Sequence, residues 1–253
     1  MKHVIHPEFQ SKSAAIEKII GGFAKNGTLF GDGKRNTIKL FDLDGRTINV
    51  KSFQVPNLVN RIVYNFFRRS KAERSYEFAN RLLEKGIGTP QPVGYFENFE
   101  NLLLSDSYYI SEHLQCDLTF RELITDPDYP EHDIILRQFV QFSYNLHENG
   151  IEFLDHTPGN TLIKKIDDGR YEFFLVDLNR MTFHKSMSLD QRINNLSKLT
   201  SKREMIDVMS DEYAKLYGKS HDEILKLMLR QTELHRNRFL RKRRIKKMLL
   251  LRK

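Results

Sequence analysis

The stretch LHENGIEFLDHTPGNTLI, from Leu146 to Ile163, decides how the rest of the chain is interpreted. It places Asp155 and Asn160 in a DxxxxN spacing, in a loop that follows a predicted helix. After a predicted β-hairpin the chain continues with FFLVDLN, in which Asp177 ends an apolar strand. This order and spacing of Asp, Asn and a second Asp is typical of a phosphotransferase catalytic loop and its metal site. Phosphoryl transfer is therefore the leading hypothesis.

Length and composition bound the kind of protein this is. The chain has 253 residues, 40% hydrophobic and 29% charged, enough for one large or two small domains with real cores. Its formal net charge of +8 favours an anionic partner such as nucleotide, nucleic acid, anionic lipid or a phosphorylated glycan. Cys116 is the single cysteine, and we expect it to be a buried apolar residue in a reducing compartment. Neither a signal peptide nor a membrane span of roughly 18 apolar residues is found, which predicts a cytoplasmic protein.

Periodicity predicts a mostly β half followed by a mostly α half, which indicates an α+β protein. A hairpin is expected at Asp44 and Gly45, and the second helix is expected to end at Gly86 before the breaker GTPQP. The predicted strands of the first half are 28–30, 36–41, 46–53, 102–104 and 108–111, and its helices are 56–67 and 71–85. The second half has predicted helices at 119–124 and 132–149, two strands around the turn 167–169, and helix from Leu189 onward.

Phosphoryl transfer requires that the reactants are positioned, that the phosphate charge is neutralised, and that metal ions are held by carboxylate and amide oxygens. Lys51, in an alternating strand, is the candidate for holding the phosphates. Its ammonium is expected to pair with a glutamate of the helix, Glu77 by preference, with Glu73 as the alternative. Asp155 is the candidate for accepting the proton of the acceptor hydroxyl. Asn160 and Asp177 are the candidate Mg²⁺ ligands.

Each candidate also has an ordinary structural explanation. A solvated strand edge would account for Lys51, and an exposed helix face for Glu77. The Asp and Asn of the DxxxxN motif also build turns readily around a Pro-Gly pair. Gly31 and Gly33 either bring backbone N–H groups close to phosphates or form a plain turn. Asp177 is the hardest to explain structurally, because it ends a buried strand.

Five segments together resemble the lipopolysaccharide kinase family, which phosphorylates Kdo or heptose sugars of the inner core on a protein-kinase-like fold. The similarity covers about residues 28–200. Helix, then GxxTPxP, then strand is more specific to that family than DxxxxN alone. The segments are VKSF around Lys51, RSYEFANRLLEKGIGTPQPVGYFE, YYISEHL, LHENGIEFLDHTPGNTLI and VDLNRM.

The resemblance implies a bilobal fold with a small antiparallel β-rich N-lobe and a helical C-lobe. The lobes are expected at residues 1–112 and 113–234, followed by a basic amphipathic tail at 235–253. ATP and Mg²⁺ are expected in the cleft between the lobes, with Glu112 at the hinge among the nucleotide-binding residues. No prediction of oligomeric state follows.

The family's functional residues carry over to this sequence position by position. The ATP lysine corresponds to Lys51, the catalytic aspartate to Asp155, and the metal-binding asparagine and aspartate to Asn160 and Asp177. The implied acceptor is a sugar hydroxyl of lipid A-linked core glycan at the inner face of the cytoplasmic membrane.

The chain departs from the family pattern at several positions. Phe153 stands where the family and protein kinases usually place a His, and Leu154 where many kinases have an Arg. The triplet that begins at Asp177 lacks the glycine of DFG and ends in Asn179. These departures leave two alternatives open: a catalytically inactive pseudokinase, or a kinase of the same fold that acts on a protein or small molecule.

The C-terminal segment 235–253 reads HRNRFLRKRRIKKMLLLRK, without a single acidic residue. Basic residues beside bulky apolar ones suit an anionic membrane surface. Nucleic-acid binding and a solvated helix end are the competing interpretations. Nucleic acid is the less favoured partner, because no recognised nucleic-acid module or aromatic stacking platform accompanies the segment.

Overall fold

The computed structural model describes residues 1–31, 36–53, 69–101 and 103–250, with backbone only at 246, 247, 249 and 250. The chain divides into two compact units. The first unit comprises Met1–Gln115 and Leu175–Arg180, and the second comprises Cys116–Phe174 and Met181–Lys253. The lobe boundaries expected after residues 112 and 234 stay predictions.

The first unit is built on a six-stranded sheet with the order β1-β5-β6-β4-β3-β2. All five neighbouring pairs are antiparallel, as expected for a β-rich N-lobe. Asp44 and Gly45 both have positive φ in the turn between β3 and β4, which confirms the predicted hairpin. The strands are β1 (Lys2–Ile5), β2 (Thr28–Phe30), β3 (Asn36–Leu43), β4 (Arg46–Phe53), β5 (Pro92–Glu100) and β6 (Leu103–Glu112).

Strand β1 was not predicted, β5 was expected only from the family signature that places a strand after GxxTPxP, and the two strands expected at 102–104 and 108–111 are a single strand, β6. The first six residues of β5 are all buried, so the period-2 alternation that reveals a half-buried strand is missing. Its pairing with β6 is also irregular near Gly94 and Phe99. Burial on both faces therefore hid this strand from the sequence pattern.

Two α-helices of the first unit are described, α1 (Ser13–Gly21) and α2 (Lys71–Glu84). Ser70 caps α2, because its hydroxyl accepts a hydrogen bond from Glu73 N at 3.0 Å. The predicted helix 71–85 is thereby confirmed, whereas α1 was not predicted. The helix predicted at 56–67 lies outside the described residues.

The second unit is mostly helical and has its own core, in which Phe120, Phe139 and Tyr213 are among the fully buried side chains. Two small sheets accompany the helices, with the orders β10-β9-β7 and β11-β8. The helices are α3 (Phe120–Thr125), α4 (His132–Glu148), α5 (Leu189–Leu196), α6 (Arg203–Tyr217) and α7 (His221–Leu250). The strands are β7 (Leu118–Thr119), β8 (Ile151–Phe153), β9 (Thr161–Asp167), β10 (Arg170–Leu175) and β11 (Met181–Phe183).

The segment predicted as a basic amphipathic tail is part of α7, which is described through Leu250. One expectation about this unit is wrong. Cys116 is exposed rather than buried, because it lies in the segment that leads into β7. Within the described residues, no helix is long and apolar enough to cross a membrane.

Candidate active site

The first unit joins two candidate residues that are far apart in sequence. Lys51 Nζ donates a hydrogen bond to Asp177 Oδ1 at 2.6 Å. Lys51 lies on β4, between β3 and β6, and its side chain is only 13% exposed. A second donor, Asn179 Nδ2, reaches the same carboxylate oxygen at 2.7 Å. The sheet thus aims an ammonium at the carboxylate predicted to bind metal.

The backbone at Asp177 is unusual. Its φ is +60°, in the left-handed region that few residues other than Gly, Asn and Asp adopt. Strained backbone of this kind persists where surrounding contacts enforce it, and it concentrates at functional sites. The two donors described above both bind Oδ1, which leaves Oδ2 available to a metal ion.

The GTPQP motif holds the strand that leads to this aspartate. Thr89 Oγ1, which is buried, donates to the Leu175 carbonyl at 2.8 Å. Leu175 N in turn donates to the Gly88 carbonyl at 2.9 Å. The segment that made the family resemblance specific therefore fixes the chain two residues before Asp177.

The glutamates of α2 have other partners in this structure. Glu77 forms an ion pair with Arg69, and Glu73 forms one with Lys2 Nζ at 3.2 Å. The partner of Lys51 is Asp177 instead. The pairing of Lys51 with Glu77 is not formed here, and a role for Glu77 in nucleotide binding stays a prediction.

The remaining nucleotide-binding candidates are placed as follows. Gly31 follows β2 with φ +85°, and nothing lies within 4 Å of the position that a Cβ would take, whereas Gly33 lies outside the described residues. Glu112 N donates to the Gln91 carbonyl at 2.9 Å, and its side chain accepts from Arg46 Nη1 at 2.8 Å. Roles in nucleotide binding for these glycines and Glu112 stay predictions.

The second unit contains the predicted catalytic loop, which is held by hydrogen bonds to the backbone carbonyl of Asp155. That carbonyl accepts from Thr157 N at 2.7 Å and from Asn160 Nδ2 at 2.8 Å. A short 3-10 helix, Pro158–Asn160, completes the turn. Because the amide nitrogen of Asn160 is used inside the loop, its Oδ1 is the atom left for a metal ion.

Side chains from α5 and from the segment just after it form hydrogen bonds with the two residues that precede the loop. Asn195 Nδ2 donates to the Phe153 carbonyl at 2.7 Å, and Lys198 Nζ, just after the helix, donates to the Leu154 carbonyl at 3.0 Å. His147 Nε2 donates to Asn195 Oδ1 at 3.2 Å, which orients the carboxamide. Burial lowers the pKa of His147 to about 3, so the ring is neutral.

Phe153, which replaces the usual kinase histidine, is a core residue with no exposed surface. Its ring packs against His156, which is also fully buried. Neither ring nitrogen of His156 has a hydrogen-bond partner within the described part of the chain, since the nearby Asn195 is engaged as above. Burial lowers the pKa of His156 to about 4. His156 therefore serves as core and not as a proton carrier.

We expect His156→Leu to make the protein less sensitive to acid without destabilising it at pH 7. The unfolded histidine titrates near pH 6.5 and the folded one near 4, so below pH 6.5 the unfolded state binds more protons and stability falls. Each such group contributes up to about 1.4 kcal/mol per pH unit. Urea unfolding at pH 7, 6 and 5 measures the effect. A variant with the wild-type dependence on pH would contradict it.

Asp177 and Asn160, the two candidate metal ligands, each have an oxygen that could bind a metal ion. Among the described residues, no group of three or more His, Cys, Asp or Glu side chains is placed to hold an ion by itself. Mg²⁺ in phosphotransferases takes one or two protein oxygens and completes its shell with phosphates and water. Asp177 Oδ2 in the first unit and Asn160 Oδ1 in the second are each oxygens of the kind that Mg²⁺ prefers.

An antiparallel β-rich unit that presents a Lys–Asp pair and a helical unit that carries a DxxxxN loop define a kinase of the protein-kinase-like fold. The family model described as "Lipopolysaccharide kinase (Kdo/WaaP) family" matches residues 24–219, and the chain belongs to that family. It is thus a lipopolysaccharide kinase, and membership in a kinase family implies the use of ATP.

A solved structure has a similar fold. The structure described as "WaaP in complex with acyl carrier protein" aligns with a TM-score of 0.64 and 16% identity, covering 92% of this chain and 98% of that one. No curated protein matches the sequence. The structural likeness confirms the predicted fold class.

Sequence reasoning missed several residues that shape the site. Asn179 was noted as a lost glycine and not as a donor to Asp177. Thr89 was part of a motif without a role, and Asn195 was not singled out. No sequence signal marked Asn195, because the buried positions of α5 also include the charged Arg192.

Proposed function

We propose that the protein transfers the γ-phosphoryl group of MgATP to a hydroxyl of a Kdo or heptose sugar in the inner core of lipopolysaccharide. The acceptor is a lipid-linked glycan at the inner face of the cytoplasmic membrane. Family membership supports the class of acceptor. The observation that carries the phosphotransfer chemistry is the 2.6 Å contact between Lys51 Nζ and Asp177 Oδ1.

Each of the four candidate residues has one proposed role. Lys51 would bind phosphate oxygens, and Asp177 and Asn160 would each hold Mg²⁺, which would supply positive charge to the transferring group. Asp155 would orient the sugar hydroxyl and accept its proton as the oxygen attacks phosphorus and ADP leaves. In this structure Lys51 and Asp177 form an ion pair with each other. A phosphate anion would be an alternative partner for the lysine, and a metal cation for the aspartate.

A panel of purified lipopolysaccharides with progressively truncated cores tests this proposal. Each is incubated with the protein, ATP and Mg²⁺, and the added phosphate is located by mass spectrometry of the released core. We expect one added phosphate on a Kdo or heptose unit, only in acceptors that retain that sugar. Turnover of a protein or small molecule, with no phosphate on any core, would favour the alternative acceptor classes.

We further propose that α7 docks the protein on an anionic membrane surface. Its first turns are packed into the second unit through Ile224 and Met228. Beyond Thr232 the described side chains are mostly exposed, including Phe239 at 59% and Met248 at 58%. The sequence after Glu233 has no acid to offset its basic residues. A basic helix with exposed apolar side chains is suited to a lipid surface rich in anionic headgroups.

Neutralising the basic run in α7 should weaken membrane binding strongly. Each basic residue near such a surface contributes about 1 kcal/mol, so four replacements should cost about three orders of magnitude in affinity at low salt. The four replacements are Arg241→Gln, Lys242→Gln, Arg243→Gln and Arg244→Gln. Flotation with phosphatidylglycerol-containing vesicles measures the effect.

The matched control removes four exposed charges elsewhere on the second unit and should bind as wild type does. Its replacements are Lys164→Gln, Arg170→Gln, Lys185→Gln and Arg203→Gln. Equal losses in both variants would show that net charge matters and not α7. Binding to RNA but not to vesicles would favour the nucleic-acid alternative.

A further inference from the structure

An arginine that is not among the candidate kinase residues lies against the predicted catalytic loop of the second unit. Arg121 is on α3, the short helix that packs against the 3-10 turn Pro158–Asn160. Phe120 and Leu123 bury the other side of this helix, whereas Arg121 is exposed. A Cβ placed on Gly159 would lie 2.8 Å from Arg121 Nη2. The guanidinium therefore covers the residue next to Asn160.

The acids nearest to Arg121 in sequence have other hydrogen-bond partners, although Glu122 attracts Arg121 electrostatically. Glu122 is used by the capping box, where it accepts from Thr119 N at 2.7 Å, and Thr119 Oγ1 caps the helix. Asp117 accepts from Lys165 N at 2.8 Å, and Asp126 accepts from Asp128 N at 3.1 Å. Within the described part of the chain, no carboxylate forms an ion pair with Arg121. An unpaired guanidinium, which stays charged at any working pH, is ready for an anion.

The loop itself has no cation to offer. The sequence between Asp155 and Asn160 is His-Thr-Pro-Gly, and His156 is buried and neutral. Lys198 donates to the Leu154 carbonyl. Phosphoryl transfer concentrates negative charge on the nucleotide and on the reacting oxygens, and catalysis depends on cations placed there in advance.

We propose that Arg121 is an oxyanion-binding residue of the reaction, whose guanidinium beside Gly159 binds a phosphate or carboxylate group of one of the two reactants. The inference rests on the proposed function. With either a phosphate or a carboxylate, the guanidinium would form a planar, bidentate pair of hydrogen bonds. The two possible sources of the oxyanion are an anionic group of the core glycan and the γ-phosphate of ATP.

Gly159 fits this assignment. Its φ lies outside the left-handed region, so the backbone does not require glycine. What glycine provides is room for the guanidinium. Gly159→Ala should therefore fold normally, and the flexible end of Arg121 should move away from the loop. This variant changes the position of the charge and keeps the charge itself.

The experiment measures kcat and KM for both ATP and lipopolysaccharide, together with hydrolysis of ATP without acceptor. Arg121→Ala should lower kcat/KM for one reactant by about 10- to 100-fold, the range for hydrogen bonds to charged groups. Gly159→Ala should lower it less, and Arg121→Lys should recover part of the loss. Arg170→Ala removes an exposed arginine of the same unit and should stay within about twofold of wild type. Equal melting temperatures across the set separate binding from folding.

The kinetic pattern identifies the source of the oxyanion. A higher KM for lipopolysaccharide with unchanged hydrolysis of ATP assigns Arg121 to the glycan. Slower hydrolysis or a higher KM for ATP assigns it to the γ-phosphate. Arg121→Ala within twofold of wild type for both reactants would overturn the proposal.

A second readout does not depend on turnover. Inorganic phosphate is titrated while the Gly159 amide is followed by nuclear magnetic resonance in uniformly ¹⁵N-labelled protein. We expect a saturable shift in wild type and Arg170→Ala, and no shift in Arg121→Ala. A wild type that transfers no phosphate to any core would refute the proposed function, and this titration would still decide the role of Arg121. An absent shift in that inactive wild type would overturn the Arg121 proposal as well.

Discussion

Replacing Asp155 with alanine is expected to lower kcat for phosphate transfer by about 10²- to 10⁴-fold, the contribution typical of a positioned general base. The affinity for ATP should stay within about twofold, because Asp155 acts on the acceptor hydroxyl and not on the nucleotide. The loop should keep its shape. The hydrogen bonds from Thr157 and Asn160 that close it end on the backbone carbonyl of Asp155, which alanine retains.

Single-turnover transfer of labelled phosphate to lipopolysaccharide measures this effect free of product release. Asp168→Ala is the matched control, since Asp168 is a highly exposed aspartate in the turn between β9 and β10. The control should retain wild-type rates. An Asp155→Ala variant that keeps more than a tenth of the wild-type rate would refute its assignment as the base.

Asp177→Asn is expected to lower kcat/KM for ATP by at least about 10²-fold, because a metal ion contributes several kcal/mol to charge stabilisation. Asparagine is chosen because it tolerates the left-handed φ of +60°, which alanine would adopt only with strain. Its Oδ1 still accepts from Lys51 and Asn179. The variant therefore removes the negative charge of a metal ligand and leaves the local geometry in place.

The measurement is kcat/KM for ATP across a series of Mg²⁺ concentrations. Raising Mg²⁺ should recover part of the lost activity of Asp177→Asn. Asp42→Asn changes an exposed aspartate of the first unit and should behave as wild type. If Asp177→Asn has the same Mg²⁺ dependence as wild type, Asp177 is not a metal ligand.

Local sequence signals predicted the regular parts of the fold. The hairpin of β3 and β4 has a turn with two positive φ residues, and burial largely alternates along β4. Helix α2 has a cap at Ser70 and a glycine after its end. Periodicity did not indicate strand β5, because it is buried on both faces; only the family signature placed a strand there. Asp155, Asn160 and Asp177 could be named as candidates because they lie in short, ordered motifs, and their roles stay predictions.

Contacts between distant segments could not be predicted. The Lys51–Asp177 contact joins residues 126 positions apart, and only the folded sheet reveals that Lys51 faces Asp177 and not Glu77. The same limit applies to Thr89, which holds the Leu175 carbonyl, and to Arg121, which lies over Gly159. Each of these residues is ordinary in its own sequence neighbourhood. Its role comes entirely from tertiary packing.

Turnover of ATP with Mg²⁺, measured with and without purified inner-core lipopolysaccharide, tests the central claim most directly. Wild type, Asp155→Ala and Asp177→Asn are compared under the same conditions. We predict that the acceptor stimulates turnover by wild type and that both variants lose this stimulation. A wild type that binds ATP and never passes phosphate to the acceptor, or variants as active as wild type, would contradict the account.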